Sequence, residues 1–347
     1  MKYLNRLSSL NLVEDTVICV ALCHNELNIL QEFLDHYRSI SNISFLIVDD
    51  RSDDGSTNFL LDQHDVTLFQ PVSGSTYREH KRFWRQELLD EYGDGKWCIV
   101  PDIDEHFVYL DMENKPLKTL ISEMESEGAR VMHGIMLDMY ANKPIANHIY
   151  TGGKLLSSFP YFDGAESYWT MSTPKSFQKK FPTPSVMVFG GMRDRLFYSN
   201  KWLDLFVKKV FRRYTGLPFH EARNRIEKVK YEFIRRIVHY LSEDHDIPLL
   251  NSSKLPLIKW EKGLYYNGGA HAINKSLQIY SQSAALLHYR FTRGISGLEY
   301  SAKRGQHAEK GSYIKRILRS HSALKKIPVT GSSKKFVNSF SLMDVLE

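Results

Sequence analysis

Thr16-Val17-Ile18-Cys19-Val20-Ala21-Leu22 is an unbroken apolar run of strand length, the pattern of a strand covered on both faces. Its surroundings extend the reading. Leu30, Phe33, Leu34 and Tyr37 recur at i, i+3, i+4 and i+7, one stripe of an amphipathic helix. Phe45-Leu46-Ile47-Val48 is a second buried run, stopped by Asp49-Asp50. The turn Asp53-Asp54-Gly55-Ser56 follows, with Ser56 expected to cap a short helix through Leu61. Residues 66–69 read as a third strand, residues 77–92 as a charged helix with Trp84 and Leu88 on its apolar side, and Trp97-Cys98-Ile99-Val100 as a fourth strand. The order β-α-β-α-β-α-β predicts an α/β domain: a mostly parallel, Rossmann-like sheet with helices on both faces.

In such sheets ligands bind beyond the carboxyl ends of the strands. Those ends carry His24-Asn25-Glu26, Asp49-Asp50 and Asp102-Ile103-Asp104-Glu105, so separate strands bring polar and acidic groups to one edge. Asp102 and Asp104 are two residues apart, and in extended backbone both would point the same way, toward one ion. Hard oxygen ligands of this kind suit Mg²⁺ or Mn²⁺ that also holds a diphosphate. Asp50 is placed to accept a hydrogen bond from a ribose or a nucleobase N–H.

Several chemistries are disfavoured. Leu22-Cys23-His24-Asn25-Glu26 contains no glycine, which a dinucleotide fold needs between its first strand and helix. There is no phosphate-binding Gly-rich loop of the NTPase type, no Cys/His zinc spacing and no Gly-x-Ser-x-Gly elbow. An Asp-x-Asp phosphatase would carry its nucleophile after the first strand, and here the motif follows the fourth.

The chain has 347 residues, 42% hydrophobic and 25% charged, which excludes wholesale disorder and allows a large core without staples. Its three cysteines, Cys19, Cys23 and Cys98, point to a reduced setting. No apolar run approaches the roughly 18–20 residues of a membrane span, and residues 1–12 lack a signal-peptide pattern; a cytoplasmic protein is expected. The net charge of +6 hides an asymmetry. Residues 1–150 hold 13 Lys/Arg against 25 Asp/Glu, and residues 151–347 hold 33 against 15. An acidic half joined to a basic half fits a metal-binding face beside a surface for anionic partners.

Four regions are expected: a nucleotide-binding and catalytic core over 1–194, a basic helical insertion over 195–250, a return to the core over 251–310, and a basic, partly mobile tail over 311–347. Residues 130–140 and 283–291 read as further strands, the latter containing His288. In the insertion, Trp202, Leu203, Leu205, Phe206, Val210 and Phe211 interleave with Lys208, Lys209, Arg212 and Arg213. That pattern suits either peripheral contact with an anionic membrane or an apolar stripe packed on the core. No nucleic-acid module accompanies it, so no nucleic-acid partner is expected.

Residues 16–110 resemble the family 2 glycosyltransferases of the GT-A fold. The resemblance rests on Cys23-His-Asn-Glu26, Ile47-Val-Asp-Asp-Arg-Ser-Asp-Asp-Gly-Ser56 and Lys96-Trp-Cys-Ile-Val-Pro-Asp-Ile-Asp-Glu105. Downstream, Leu137-Asp-Met-Tyr140, Gly190-Gly-Met-Arg-Asp-Arg-Leu-Phe197, Lys254-Leu-Pro-Leu-Ile-Lys-Trp260, Ala285-Leu-Leu-His-Tyr289 and Arg304-Gly-Gln-His307 extend it through most of residues 15–310. It implies a metal-dependent, inverting transfer of sugar from a nucleotide-sugar donor, UDP-linked, to a glycan or lipid-linked acceptor at the inner face of the cytoplasmic membrane, in cell-surface polysaccharide or lipooligosaccharide synthesis. Asp50 would hold the base, Glu26 would lie beside the nucleoside, and Asp102 and Asp104 would bind ribose and the metal-diphosphate. His288 would complete the Mn²⁺ or Mg²⁺ shell, with His271 as competitor. Asp194 or Asp138 would be the general base, with Asp163 also open, and Arg78, Lys81 or Arg82 would reach the diphosphate. Two other classes stand beside this one: a nucleotidyltransferase, which should show a Gly-rich basic loop after strand one, and a non-catalytic binding protein on the same fold.

Overall fold

Alternate residues of the first buried run face two different cores. In the computed structural model, which describes residues 1–173, 175–197, 250–305 and 312–346, the first half comprises β1 (Leu4–Arg6), β2 (Val17–Cys23), α1 (Leu27–Ile40), β3 (Ile43–Asp49), α2 (Ser56–Leu61), β4 (Val66–Pro71), α3 (Tyr77–Tyr92) and β5 (Trp97–Ile99). Val17, Cys19 and Ala21 of β2 pack with Leu30, Phe33, Leu34 and Tyr37 of α1. Ile18, Val20 and Leu22 pack instead with Trp84 and Leu88 of α3. Helices therefore cover both faces, as the continuous apolar run requires.

The chain continues through β6 (Glu105–Val108), α4 (Leu117–Ser126), β7 (Val131–Asp138), β8 (Tyr161–Asp163), β9 (Tyr168–Ser172) and β10 (Val186–Gly190). It returns as β11 (Ser253–Lys259) and β12 (Ala284–His288), and β13 (Ser333–Lys335) lies near the end. Nine strands form one sheet in the order β1-β4-β3-β2-β5-β11-β7-β12-β6. Six of them, β2 to β5 with β7 and β12, run one way; β1, β6 and β11 run against them. The sheet is mixed and mostly parallel, with a Rossmann-like half at β4-β3-β2-β5. Strand β1, an antiparallel edge on β4, was not expected from the polar start of the chain.

Three strands separate β5 from β6, yet only residues 100–104 join them. This segment must cross the ends of β11, β7 and β12, and backbone bonds tie it there: Val100 N donates to Pro256 O (2.8 Å) and Tyr289 N to Asp104 O (2.8 Å). Asp102 and Asp104 thus lie on a crossing turn, not on the extended strand that their spacing suggested. Ser56 also differs from expectation. Gly55, at φ 98°, takes the cap position, and the Ser56 hydroxyl, donated to Asp54, accepts from Glu26 N.

The tail read as partly mobile packs along residues 312–346. β13 pairs with β8, and Phe336, Leu342 and Val345 belong to the core cluster that also holds α1 and β7. Apolar positions spaced through a Ser- and Lys-rich stretch find partners only in the folded chain. The basic insertion expected over 195–250 falls almost entirely outside the described residues, as does His307. No helix among the described residues is long and apolar enough to cross a membrane.

Gly190 ends β10 at φ 117°, and a Cβ there would stand 2.1 Å from Ser167 O. Gly190→Ala is therefore expected to destabilise the protein by more than about 2 kcal/mol, from left-handed strain plus a backbone clash, read as a lower midpoint in chemical denaturation.

Candidate functional site

A cleft of about 350 Å³ opens at the carboxyl edge of the parallel strands. The fold explains its contents. Glu26 follows β2, Asp102 and Asp104 follow β5, and His288 ends β12. Because β6 and β11 run the other way, Glu105, the first residue of β6, and Lys254, the second of β11, reach the same edge.

Lys254 is the central cation. Its side chain is 3% exposed, and Nζ donates to Asp102 Oδ2 (2.8 Å) and contacts Glu105 Oε1 (2.9 Å). The other Asp102 oxygen accepts from the buried Arg85, and Glu105 Oε2 accepts from Asp102 N (3.0 Å). Burial pushes Glu105 up against the pull of Lys254. For Asp102, burial opposes ionisation, but Lys254 and Arg85 overcome it and hold the carboxyl well below its usual range.

Asp104 faces elsewhere. Its Oδ2 lies 3.3 Å from His288 Nε2 and 4.0 Å from Arg290 Nη1; burial would raise its pKa, but His288 and Arg290 hold it at about 2. His288 Nδ1 donates to Asp138 Oδ1 at 2.7 Å. Burial disfavours the imidazolium, yet Asp104 and Asp138 raise it to about 8. Asp138 is clamped by Arg193 Nε at 2.7 Å, and despite its burial Arg193 and His288 keep it at about 2. A carboxylate so held is a weak proton acceptor. Asp138, expected as a possible general base, is placed between Arg193 and His288, whose ring it orients.

The implied Mn²⁺ or Mg²⁺ fits part of the expected set. His288 gives one ring N–H to a carboxylate and turns the other nitrogen toward Asp104, the arrangement that positions a metal-binding histidine. Asp102 does not belong to that set, because both its oxygens are engaged by cations. Among the described residues no three His, Cys, Asp or Glu side chains converge as a metal site. Asp104 and His288 would supply two ligands, and Mg²⁺-type ions commonly complete such shells with water and substrate phosphate.

Glu26, Asp102, Asp104 and His288 line the cleft, as do Lys81, Arg193, Lys254, Arg290, Arg293 and Arg304. Burial pushes Glu26 up to about 7 against the pull of Arg293, whose Nη2 is 3.2 Å from Glu26 Oε1. Asp50 lies behind Arg304, which bonds its Oδ2, while Arg51 holds Oδ1 at 3.0 Å. On α3, Lys81 and Tyr77 reach the cleft and Arg78 and Arg82 do not line it; Asp194, half-buried on the short helix Met192–Phe197, does not line it either. Asp163 is fully buried and bridged by Arg195 at 2.8 Å, a structural lock between β8 and that helix.

No family model matches the chain. No curated protein matches it. One solved structure similar to it is a Bacillus anthracis protein assigned as a glucose-1-phosphate thymidylyltransferase, in complex with a sucrose, at 9% identity and a TM-score of 0.24. The alignment covers 40% of this chain and 60% of that one.

Sequence reasoning gave no role to Lys254, Arg85, Arg193, Arg293, Arg304 or Tyr300. The excess of basic residues after position 150 was the available signal, but it named no pair. Tyr300 Oη, from the helix Gly294–Arg304, meets His24 Nε2 (2.7 Å) and Asn25 Nδ2 (2.8 Å).

Removing Lys254 strands the buried Glu105, while Asp102 keeps Arg85. Lys254→Met is expected to cost about 3–5 kcal/mol, as for other broken buried ion pairs. Glu105→Gln in the Lys254→Met background should recover part of that loss, measured by a double-mutant cycle in urea.

Proposed function

We propose that this protein is a metal-dependent glycosyltransferase that moves a sugar from a nucleotide-sugar donor, UDP-linked, to a hydroxyl of a glycan or lipid-linked acceptor. The observation that carries the reading is the Asp104–His288–Asp138 chain set beside a wall of cations at the carboxyl edge of the sheet. A nucleoside diphosphate needs both: oxygen and nitrogen ligands for a divalent ion, and fixed positive charge for the phosphate oxygens.

The residues divide the work. Asp50, behind Arg304 and bonded to it, orients a guanidinium that lines the cleft and can donate to a carbonyl oxygen of uracil. The Arg304 guanidinium lies 5.8 Å from the Tyr77 ring centroid, so the base site has an aromatic wall. Lys81, whose ammonium stands 4.9 Å from the same ring, together with Arg290 and Arg293, faces the phosphates. A bound Mn²⁺ or Mg²⁺ would neutralise the departing diphosphate. In the transfer the bond from the sugar's anomeric carbon to the phosphate oxygen breaks, its electron pair stays with the diphosphate, and the acceptor oxygen bonds to that carbon as its proton passes to water. Preorganised cations favour that charge development without reorganising.

The reading is tested by thermal unfolding with nucleoside diphosphates, with Mn²⁺ or with EDTA. UDP at about 100 times its dissociation constant should stabilise the protein by about 2.7 kcal/mol, and Asp104→Ala should lose the Mn²⁺-dependent part while remaining folded. A well-folded protein that shifts with no nucleoside diphosphate sinks the proposal.

The position of Lys81 gives a second test. Burial, with Arg85 and Lys254 nearby, pulls its pKa down to about 8. The ammonium is charged below that pH, so UDP affinity should fall as pH rises through about 8. Lys81→Met should weaken UDP binding about tenfold, an ordinary charge-assisted contact, and remove that step in the pH profile. Arg78→Met should leave both unchanged in calorimetric titration.

A further inference from the structure

Of the three histidines that line the cleft among the described residues, the reading above uses only His288; both ring nitrogens of His24 are taken by Asp50 O and Tyr300 Oη, which leaves His271. The loop before it is built to aim its ring. Asn267 Oδ1 accepts from the His271 and Ala272 amides (3.2 Å each). Ala270 is held at φ 55°, with its carbonyl accepting from Leu255 N at 2.8 Å. Gly269 leaves room for the ring: a Cβ there would sit 2.7 Å from Nε2.

The ring's protonation follows from its partner. Nδ1 lies 2.6 Å from the Ser253 carbonyl oxygen, which can only accept, so Nδ1 carries the hydrogen and Nε2 keeps a lone pair. Burial, reinforced by the charge of Lys254, keeps the imidazole neutral, its pKa near 3. Nε2 has no hydrogen-bond partner among the described residues, and His271 lines the cleft together with Lys254 and Gly269. Lys254 spends two of its three hydrogens on Asp102 and Glu105, which leaves one. An acceptor and a donor thus line the same cleft.

We propose that His271 Nε2 and Lys254 Nζ together bind one hydroxyl of the donor's sugar, the hydroxyl donating to His271 and accepting from Lys254, and that His271 thereby selects the sugar. The inference rests on the nucleotide-sugar reading. A neutral hydroxyl satisfies both partners at once; an alkyl group leaves both unpaired, and a carboxylate meets the lone pair of Nε2.

The test is calorimetric titration of the full-length protein with UDP, UDP-glucose, UDP-galactose and UDP-N-acetylglucosamine, with Mn²⁺. Wild type should bind one of the sugar conjugates more tightly than UDP. His271→Ala should lose about tenfold of that advantage, one hydrogen bond to a buried group, while its UDP affinity stays within about twofold. His271→Gln, whose amide oxygen can stand in for Nε2, should recover most of it. Equal losses for UDP and the conjugate, or no loss for either, would overturn the role of His271 and leave the nucleotide site standing. If wild type binds none of the four, the nucleotide-sugar reading falls, and this inference with it.

Discussion

The ammonium of Lys254 is the interaction on which the rest depends. The chain must pass from the middle of the sheet to its far edge in five residues, and that crossing places Glu105 where water is excluded, beside a half-buried Asp102. A buried carboxylate with a second one at its side is untenable without a counter-charge. Lys254 supplies it from the first turns of an antiparallel strand inserted between β5 and β7, so the ion pair also fixes where β11 begins. The cost of burial is offset because each charge finds close partners: Asp102 is held by two cations, and Lys254 by two carboxylates.

The same logic accounts for the charge asymmetry along the chain. The acidic residues gathered by the first half of the sheet are met by cations from the second. Arg193 holds Asp138, Arg293 holds Glu26, and Arg304 holds Asp50. The basic half is therefore, in part, the counter-charge of the acidic half, rather than only a surface for anionic partners. Each of these guanidiniums sits at or beside the cleft, so the groups that stabilise the fold also make the site attractive to a phosphate-bearing ligand.

The two aspartates of Asp102-Ile103-Asp104 show how one motif can serve two tasks. Asp102 is a structural carboxylate, bonded on both oxygens. Asp104 is turned toward His288, which is oriented in turn by Asp138. Extended backbone would have aimed both at one place; the crossing turn gives them different partners.

The sequence by itself determined the order and extent of the early strands and helices, because unbroken apolar runs and an i, i+3, i+4, i+7 stripe have few other structural solutions. It also placed Glu26, Asp104 and His288 at the strand ends that form the cleft. It could not show the partners of Asp138 and Asp102, since a carboxylate's partners are set by residues far along the chain, Arg193 and His288 for the one and Arg85 and Lys254 for the other. Arg78 and Lys81 could not be separated by type or charge; only the rotation of α3 against the sheet puts Lys81 toward the cleft. The packed tail was likewise invisible, because Phe336, Leu342 and Val345 carry no periodic pattern and find their apolar partners only across the fold. Local pattern fixes which segments are buried; which charges meet inside is decided by tertiary structure, because ion pairing depends on distance in space and not on separation along the chain.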